Sequence, residues 1–243
     1  MSLTTTTDEI AADIFRFSTF VPDVGPTGFT FNQFFINAEE PLLFHTGTRQ
    51  MFPLVSAAIA RVRPVEQLRW VSFGHVESDE CGSMNQLLAA APHATVLHNP
   101  TGCAVSLNDL SDRTPESIAD GQTKDLGNGR IVRVITTPHV PHNWESHVLF
   151  EESTQTLLCG DIFTALGNGS ALVEDDPIGP AMEAETVFGA TSLSPRVGAT
   201  LRRLAELEPR TLALMHGSSY AGDGAKALLG LADAYDAYPI AGT

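Results

Sequence analysis

The strongest constraint on the fold lies in the middle of the chain. Leu126-Gly-Asn-Gly129 carries the Asn-Gly signal of a tight hairpin, whose central positions need positive φ, and the alternating run Ile131-Val-Arg-Val-Ile135 follows it. A second hairpin is expected between Val148–Phe150 and Thr156–Cys159, joined through Glu151-Glu-Ser-Thr154. Strands joined this tightly pair antiparallel. The first half of the chain makes the opposite demand. Leu42–Phe44, Leu68–Phe73 and Ala94–Leu97 read as short buried strands, separated by helical patterns over Met51–Val62 and Ser83–Ala91 that stop at Pro64 and Pro92. Such alternation builds parallel strands with helical crossovers. Mixed sheets covered by helices satisfy both demands, so the chain is expected to form one α/β (α+β) domain over residues 1–243.

The remaining segments fit that expectation. Ile14–Val21 and Phe29–Ile36 read as strands, turned by Pro22, Gly25, Pro26 and Gly28, after a frayed lead-in over residues 1–10. Residues 166–180 read as a Gly- and acid-rich loop. Helices are expected near 182–190, 195–207 and 223–236, with a strand at Thr211–Leu214 between the last two.

Composition removes several function classes. Lys and Arg number 14 against 29 Asp and Glu, a formal charge of −15. Cations to neutralise phosphates are scarce, which argues against nucleic acid and anionic membranes as partners. No apolar run approaches the ~18 residues a transmembrane helix needs. The start, Met1 to Asp8, lacks the basic and apolar regions of a signal peptide. Cys81, Cys103 and Cys159 form no Cys-x-x-Cys pair, so a disulfide framework or all-thiolate zinc site is not expected, and the chain reads as cytoplasmic. There is no Gly-x-Ser-x-Gly elbow, P-loop or dinucleotide fingerprint, and no flavin site is visible. The chemistry falls to metal ligands.

Those ligands are concentrated in Gly74-His75-Val-Glu77-Ser-Asp79-Glu80. In an extended stretch, positions i, i+2 and i+4 share a face, so His75, Glu77 and Asp79 can reach one cavity. Three more candidates stand just past strand-like runs: His142, Asp161 and His216. Six ligands converging from loops on one edge suit a dinuclear site, in which two ions share a carboxylate. His139 and His147 compete with His142 by position. His93 and His98 read as surface or core histidines, Trp144 as core or pocket wall, and Cys81 as a buried spectator.

This set resembles the metallo-β-lactamase fold, and more narrowly the diiron domain of flavodiiron and oxygen-binding diiron proteins. Gly28-Phe-Thr-Phe-Asn-Gln33, Thr137-Pro-His-Val-Pro-His-Asn-Trp144 and Met215-His-Gly217 agree with that branch. The resemblance covers roughly residues 14–236. It implies an αββα sandwich of two mixed sheets. It also implies that His75, Glu77 and His142 hold one iron, Asp79 and His216 the other, and Asp161 bridges them. Hydrolases of the fold usually carry a His where Glu77 stands. Three carboxylates with three imidazoles favour iron, with manganese or zinc as alternatives.

Two positions depart from the wider fold. Glu80 stands where a His is common and can ligate, hold a water or point away. His45-Thr-Gly47 stands where Asp-Thr-Gly is usual, and His45 is expected behind the ligands rather than among them. Tyr220 is a further candidate for the site's surroundings.

The function implied is a non-haem diiron protein that binds or reduces O2 or NO. Flavodiiron relatives draw electrons from a fused flavodoxin domain of about 150 residues. No such domain is visible in these 243 residues, so a separate donor is expected if turnover occurs. A homodimer is compatible with the resemblance. The alternative is a dinuclear zinc-type metallohydrolase of thioesters, lactones or phosphoesters.

Overall fold

The computed structural model describes residues 3–239. Their strands form two seven-stranded sheets. The first contains β1 (Thr5–Ala11), β2 (Ile14–Val21), β3 (Phe29–Ile36), β4 (Leu42–Phe44), β5 (Trp70–Ser72), β6 (Thr95–His98) and β7 (Glu116–Ser117), in that spatial order. Strands β1 to β4 pair antiparallel and β4 to β7 parallel. The second contains β8 (Thr123–Asp125), β9 (Ile131–Thr136), β10 (His147–Glu151), β11 (Thr156–Leu158), β12 (Leu172–Val173), β13 (Thr211–Ala213) and β14 (Ser219–Ala221), ordered β12-β14-β13-β11-β10-β9-β8. The two hairpins read from the sequence are β8–β9 and β10–β11, β9 and β10 also pair antiparallel, and the crossover to β13 makes β11–β13 parallel. This is the mixed αββα sandwich of the metallo-β-lactamase fold.

The strand sequences explain the layers. Along β3, Phe34 and Ile36 point into the seam between the sheets, where they meet Phe44, Trp70, Val134, Leu149 and Leu158. Phe35 points the other way, into a core with Val55, Ile59, Leu87 and Leu88 from α1 (Phe52–Val62) and the later helix Met84–Ala90. On the second sheet, Leu149 faces the seam. Val148 and Phe150 face helices Ile178–Phe188, Arg196–Ala205 and Gly224–Asp236. Because both faces of the central strands are covered, they read as continuous apolar runs rather than alternating ones.

Three expectations change. Thr5–Ala11 is an edge strand, not a frayed lead-in; its Thr-rich sequence suits an extended chain, and the Thr5 and Thr19 hydroxyls pair at 2.7 Å. The 166–180 loop contributes the two-residue strand β12, and its helix begins at Ile178 because Pro180 is tolerated in a first turn. Finally, short helical turns occupy Ser78–Cys81 and residues 100–110, where no pattern announced them.

Candidate metal centre

All candidate ligands sit on one edge of the sandwich. The loops after β5, β9, β11 and β13 carry the 75–79 motif, His142, Asp161 and His216 respectively. Strands β9, β11 and β13 run the same way, since β10 is antiparallel to both β9 and β11 and β11 is parallel to β13. Their carboxyl ends therefore open together, which is where a rigid scaffold holds a site.

His75, Glu77, His142 and Asp161 form a group that could hold a metal ion, with one donor atom from each lying within 4.8 Å of the others. His75 Nε2 is 2.8 Å from Glu77 Oε2 and 2.9 Å from His142 Nε2. Asp161 Oδ2 is 3.4 Å from His142 Nε2 and 3.7 Å from His75 Nε2. The other face of Asp161 meets a second group: Oδ1 is 3.3 Å from His216 Nε2, which is 3.4 Å from Asp79 Oδ2. One carboxylate thus stands between two sets of ligand atoms.

The outer nitrogens explain why these rings face inward. His142 Nδ1 lies 3.0 Å from the Ala190 carbonyl, and His216 Nδ1 lies 2.7 Å from the Thr30 carbonyl. A carbonyl only accepts, so each Nδ1 donates and the neutral ring presents its Nε2 lone pair to the centre. His75 Nδ1 lies 3.3 Å from Glu80 Oε1. Two nitrogen lone pairs 2.9 Å apart repel unless a cation or proton sits between them. Asp161 Oδ1 has no aligned hydrogen-bond partner although it is buried. The donor set fits metal ions.

In the metal-free chain, protons take the place of cations. Burial opposes charge on His75, but Glu80, Glu77 and Asp161 together raise it to about 10. Burial is likewise overcome at His216, which Asp161 and Asp79 raise to about 10. His142 is raised as well, its desolvation outweighed mainly by Glu77. Hydrogen bonds from His142 and His75 lower Glu77 to about 2. Asp161 falls below the usual carboxylate range because His216, His75 and His142 outweigh its burial.

The loop from β13 is held from the first sheet. Asn32 on β3 donates through Nδ2 to the Leu214 and Gly217 carbonyls at 2.8 and 2.9 Å, and Gly217 N donates to Thr30 Oγ1 at 2.7 Å. Phe29 stacks on the His216 ring at 4.0 Å, and Phe31 meets it edge-on at 5.3 Å. Gly217 has φ of 93°, and a Cβ there would come within 2.7 Å of the Ala165 Cβ, so the turn after His216 needs glycine.

The residues around the ligands fall into place. Glu80 is fully buried behind His75 and points away from the ligand cluster: Oε2 accepts from the His75 amide at 2.6 Å, and Oε1 lies 3.6 Å from His45 Nε2. Burial pushes Glu80 up to about 8 and lowers His45 to about 3. His45 is fully buried in the left-handed region at φ of 66°, outside the cluster. His147 is buried against Ser72 and Asn99, and His139 faces a separate surface depression, so His142 alone of the three joins the site.

Two further expectations are corrected. Tyr220 does not line the metal cavity; it packs against the helical core of the second sheet, and the tyrosine in the cavity wall is Tyr235. Trp144 is 58% exposed rather than core. Cys81 stays a thiol, its burial pushing it up to about 12.

Sequence reasoning missed Glu145, Thr30, Ala190 and Glu185. Glu145 is buried, and its Oε1 accepts from Val76 N at 3.1 Å, bracing the 75–79 motif. Ala190 acts through its backbone carbonyl, which carries no sequence signal, and Thr30 through its carbonyl on His216 and its hydroxyl on Gly217. Glu185 is buried on Ile178–Phe188 and bonds Thr191, next to Ala190.

Comparison with known proteins agrees with this geometry. A family described as ODP family beta lactamase matches residues 29–217, and the chain belongs to it. A protein of Thermosynechococcus vestitus that carries the name diflavin flavoprotein A 1 is 28% identical over 153 residues, covering 62% of this chain and 25% of its own length. A Synechocystis protein named diflavin flavoprotein A 2 is 26% identical over 197 residues, covering 78% of this chain and 33% of its own length. The chain therefore spans about a quarter to a third of these curated relatives. Among solved structures, the metal-soaked Flv1 flavodiiron core from Synechocystis superposes with a TM-score of 0.81 at 22% identity, covering 97% of this chain and 61% of that one. Rubredoxin oxygen:oxidoreductase from Desulfovibrio gigas gives 0.83 at 18% identity, covering 94% and 62%. At such identities these superpositions establish the fold. No helix among the described residues is long and apolar enough to cross a membrane.

Proposed function

We propose that the chain is a non-haem diiron protein that binds or reduces a small diatomic, O2 or NO. His75, Glu77 and His142 would hold one iron, Asp79 and His216 would hold the other, and Asp161 would be shared between them. The observation that carries the reading is Asp161, whose Oδ2 lies 3.4 Å from His142 Nε2 while Oδ1 lies 3.3 Å from His216 Nε2. A carboxylate placed between two ligand sets suits a dinuclear centre, whose ions lie about 3.5–4 Å apart. When bound there, two irons would supply electrons to a small diatomic, and sustained reduction would need an electron donor.

The chain's own residues prepare that chemistry. Thr30 and Ala190 fix the tautomers of His216 and His142, so ligand nitrogens need not reorient on loading. Glu80 plays the same part behind His75, accepting from its amide at 2.6 Å and lying 3.3 Å from its Nδ1. Phe29 and Phe31 press on His216 and shield that side of the centre from water.

Anaerobic purification from iron-supplied cells tests the reading, with metal counting and absorption spectra before and after O2. The expected result is two irons per chain and an O2-dependent band. Zinc, no colour and ester hydrolysis without reductant would establish the metallohydrolase instead. Glu77, in place of a further imidazole, weighs against that alternative.

A further inference from the structure

One charge is buried where the sheet pattern calls for an apolar side chain. Along β2, Ile14, Arg16, Ser18 and Phe20 share the face that looks into the seam between the sheets. Arg16 stands opposite Phe34 on β3 and opposite Asp8 on β1. It is only 2% exposed. Burying a guanidinium is costly unless it is paired. Yet Arg16 forms no ion pair among the described residues. Asp8 Oδ2 instead accepts from Thr6 Oγ1 at 2.8 Å.

Most of the guanidinium is left unused. Nη2 donates to the Gly217 carbonyl at 2.9 Å, the one hydrogen bond the Arg16 side chain makes among the described residues. Asn32 Nδ2 already donates to the same carbonyl at 2.9 Å, so holding that turn needs no buried charge. Nε is buried without a partner. The guanidinium lines a cavity of about 250 Å³, where the seam opens between β1, β2 and the segment Asn168–Ala171 that leads into β12. That is room for a small ion and several waters. Thr6, Ser18 and Asn168 bring hydroxyl and amide groups to the wall, and none of the lining residues belongs to the metal centre. Burial lowers Arg16 to about 10, with Asp8 offsetting part of the shift, so the group is charged at neutral pH.

We propose that this cavity is a binding site for a small oxoanion, held by the Arg16 guanidinium with Ser18 and Asn168 beside it. The planar fork of N–H donors matches the oxygens of a carboxylate or of a tetrahedral inorganic anion. The ion would supply the counter-charge that the buried cation lacks. The overall charge of −15 is screened over about 8–10 Å at ordinary salt, so the local guanidinium decides what enters.

The test uses the full chain, ¹⁵N-labelled and loaded with zinc, which is diamagnetic. Sodium sulfate and sodium acetate are titrated separately at constant ionic strength, with sodium chloride as the balancing salt. Saturable shifts are expected at the Arg16 Nε–H and at the Ser18 and Asn168 amides. Sulfate acting alone assigns the site to tetrahedral inorganic anions, and acetate acting alone assigns it to carboxylates. Arg16→Gln, which keeps an amide donor for the Gly217 carbonyl, should remove the shifts at Ser18 and Asn168. Two charge changes in the partly open wall guard against a folding defect in that variant. Asp8→Asn should tighten the anion about threefold and Asn168→Asp should weaken it about threefold, as one unit charge a few ångströms away does in water. Zinc content should match the wild type in both. No saturable shift with either anion overturns the proposal, as does an affinity indifferent to both wall changes. Shifts confined to residues of the metal centre and unchanged in Arg16→Gln also overturn it, and assign the anion to the zinc ions.

Discussion

Replacing Glu80 separates a ligand from a group that positions one. The carboxyl is fully buried, takes the His75 amide at 2.6 Å and sits 3.3 Å from His75 Nδ1. Glu80→Leu would strand that amide in a dry interior. Leaving a buried amide without its acceptor costs about 1–3 kcal/mol, and near the melting midpoint of a chain this size each kcal/mol moves Tm by about 2–4 °C. A fall of roughly 2–12 °C is therefore expected for the metal-free variant. Glu80→Gln keeps an acceptor for the amide and should lose less than half of that. Because His75 loses its partner in the leucine variant, metal affinity should drop about 10–100-fold with the number of ions unchanged. Chelator-competition titrations and thermal melts read both quantities. If Glu80→Gln binds one ion fewer per chain, Glu80 is itself a ligand. If neither stability nor affinity changes in Glu80→Leu, the bond to His75 does not matter and the reasoning fails.

The other predictions concern the ligands and their protons. His216→Ala should leave about one ion per chain, whereas Asp161→Ala should leave neither firmly bound; equal losses in metal counting would contradict a bridging role. Glu77→His should shift preference from iron towards zinc in competitive loading, and unchanged selectivity would remove Glu77 as the discriminator. The pH dependence follows from the raised and lowered groups. His75 and His216 are held near 10 in the folded metal-free chain, so their contribution is full below their ordinary 6.5 and is lost as pH rises through about 10. Glu77 sits near 2, so its contribution is present above its ordinary 4.5 and is lost as pH falls through about 2. Metals must displace the imidazole protons, so the gain in Tm on adding zinc should grow between pH 6 and 9; a flat gain in that window would refute the protonated metal-free site.

Local chemistry makes much of this protein legible in its sequence. The Asn-Gly hairpin, the β-branched runs and the helix-stopping prolines are signals that act within a few residues, and β2, β3 and β4 fall where those signals place them. The i, i+2, i+4 pattern of His75, Glu77 and Asp79 is equally local. The two-residue strands β7 and β12 were invisible because two residues cannot show a period, and Ser219–Ala221 because its partner strands supply its order.

What tertiary structure alone decided are the relations between distant segments. His139, His142 and His147 are indistinguishable by residue type, and only the loop after β9 turns His142 towards His75 and Asp161. Glu80 could ligate or stand behind a ligand; in the folded chain its carboxyl takes the His75 amide and lies beside His75 Nδ1, at the back of that ligand. The partners that fix the rings are backbone carbonyls, Thr30 for His216 across 186 positions and Ala190 for His142 across 48. Every residue has such a carbonyl, so no sequence pattern marks the ones that matter. The sequence by itself determined which donor atoms were present and on which strand ends; the folded sandwich determined which way each one points.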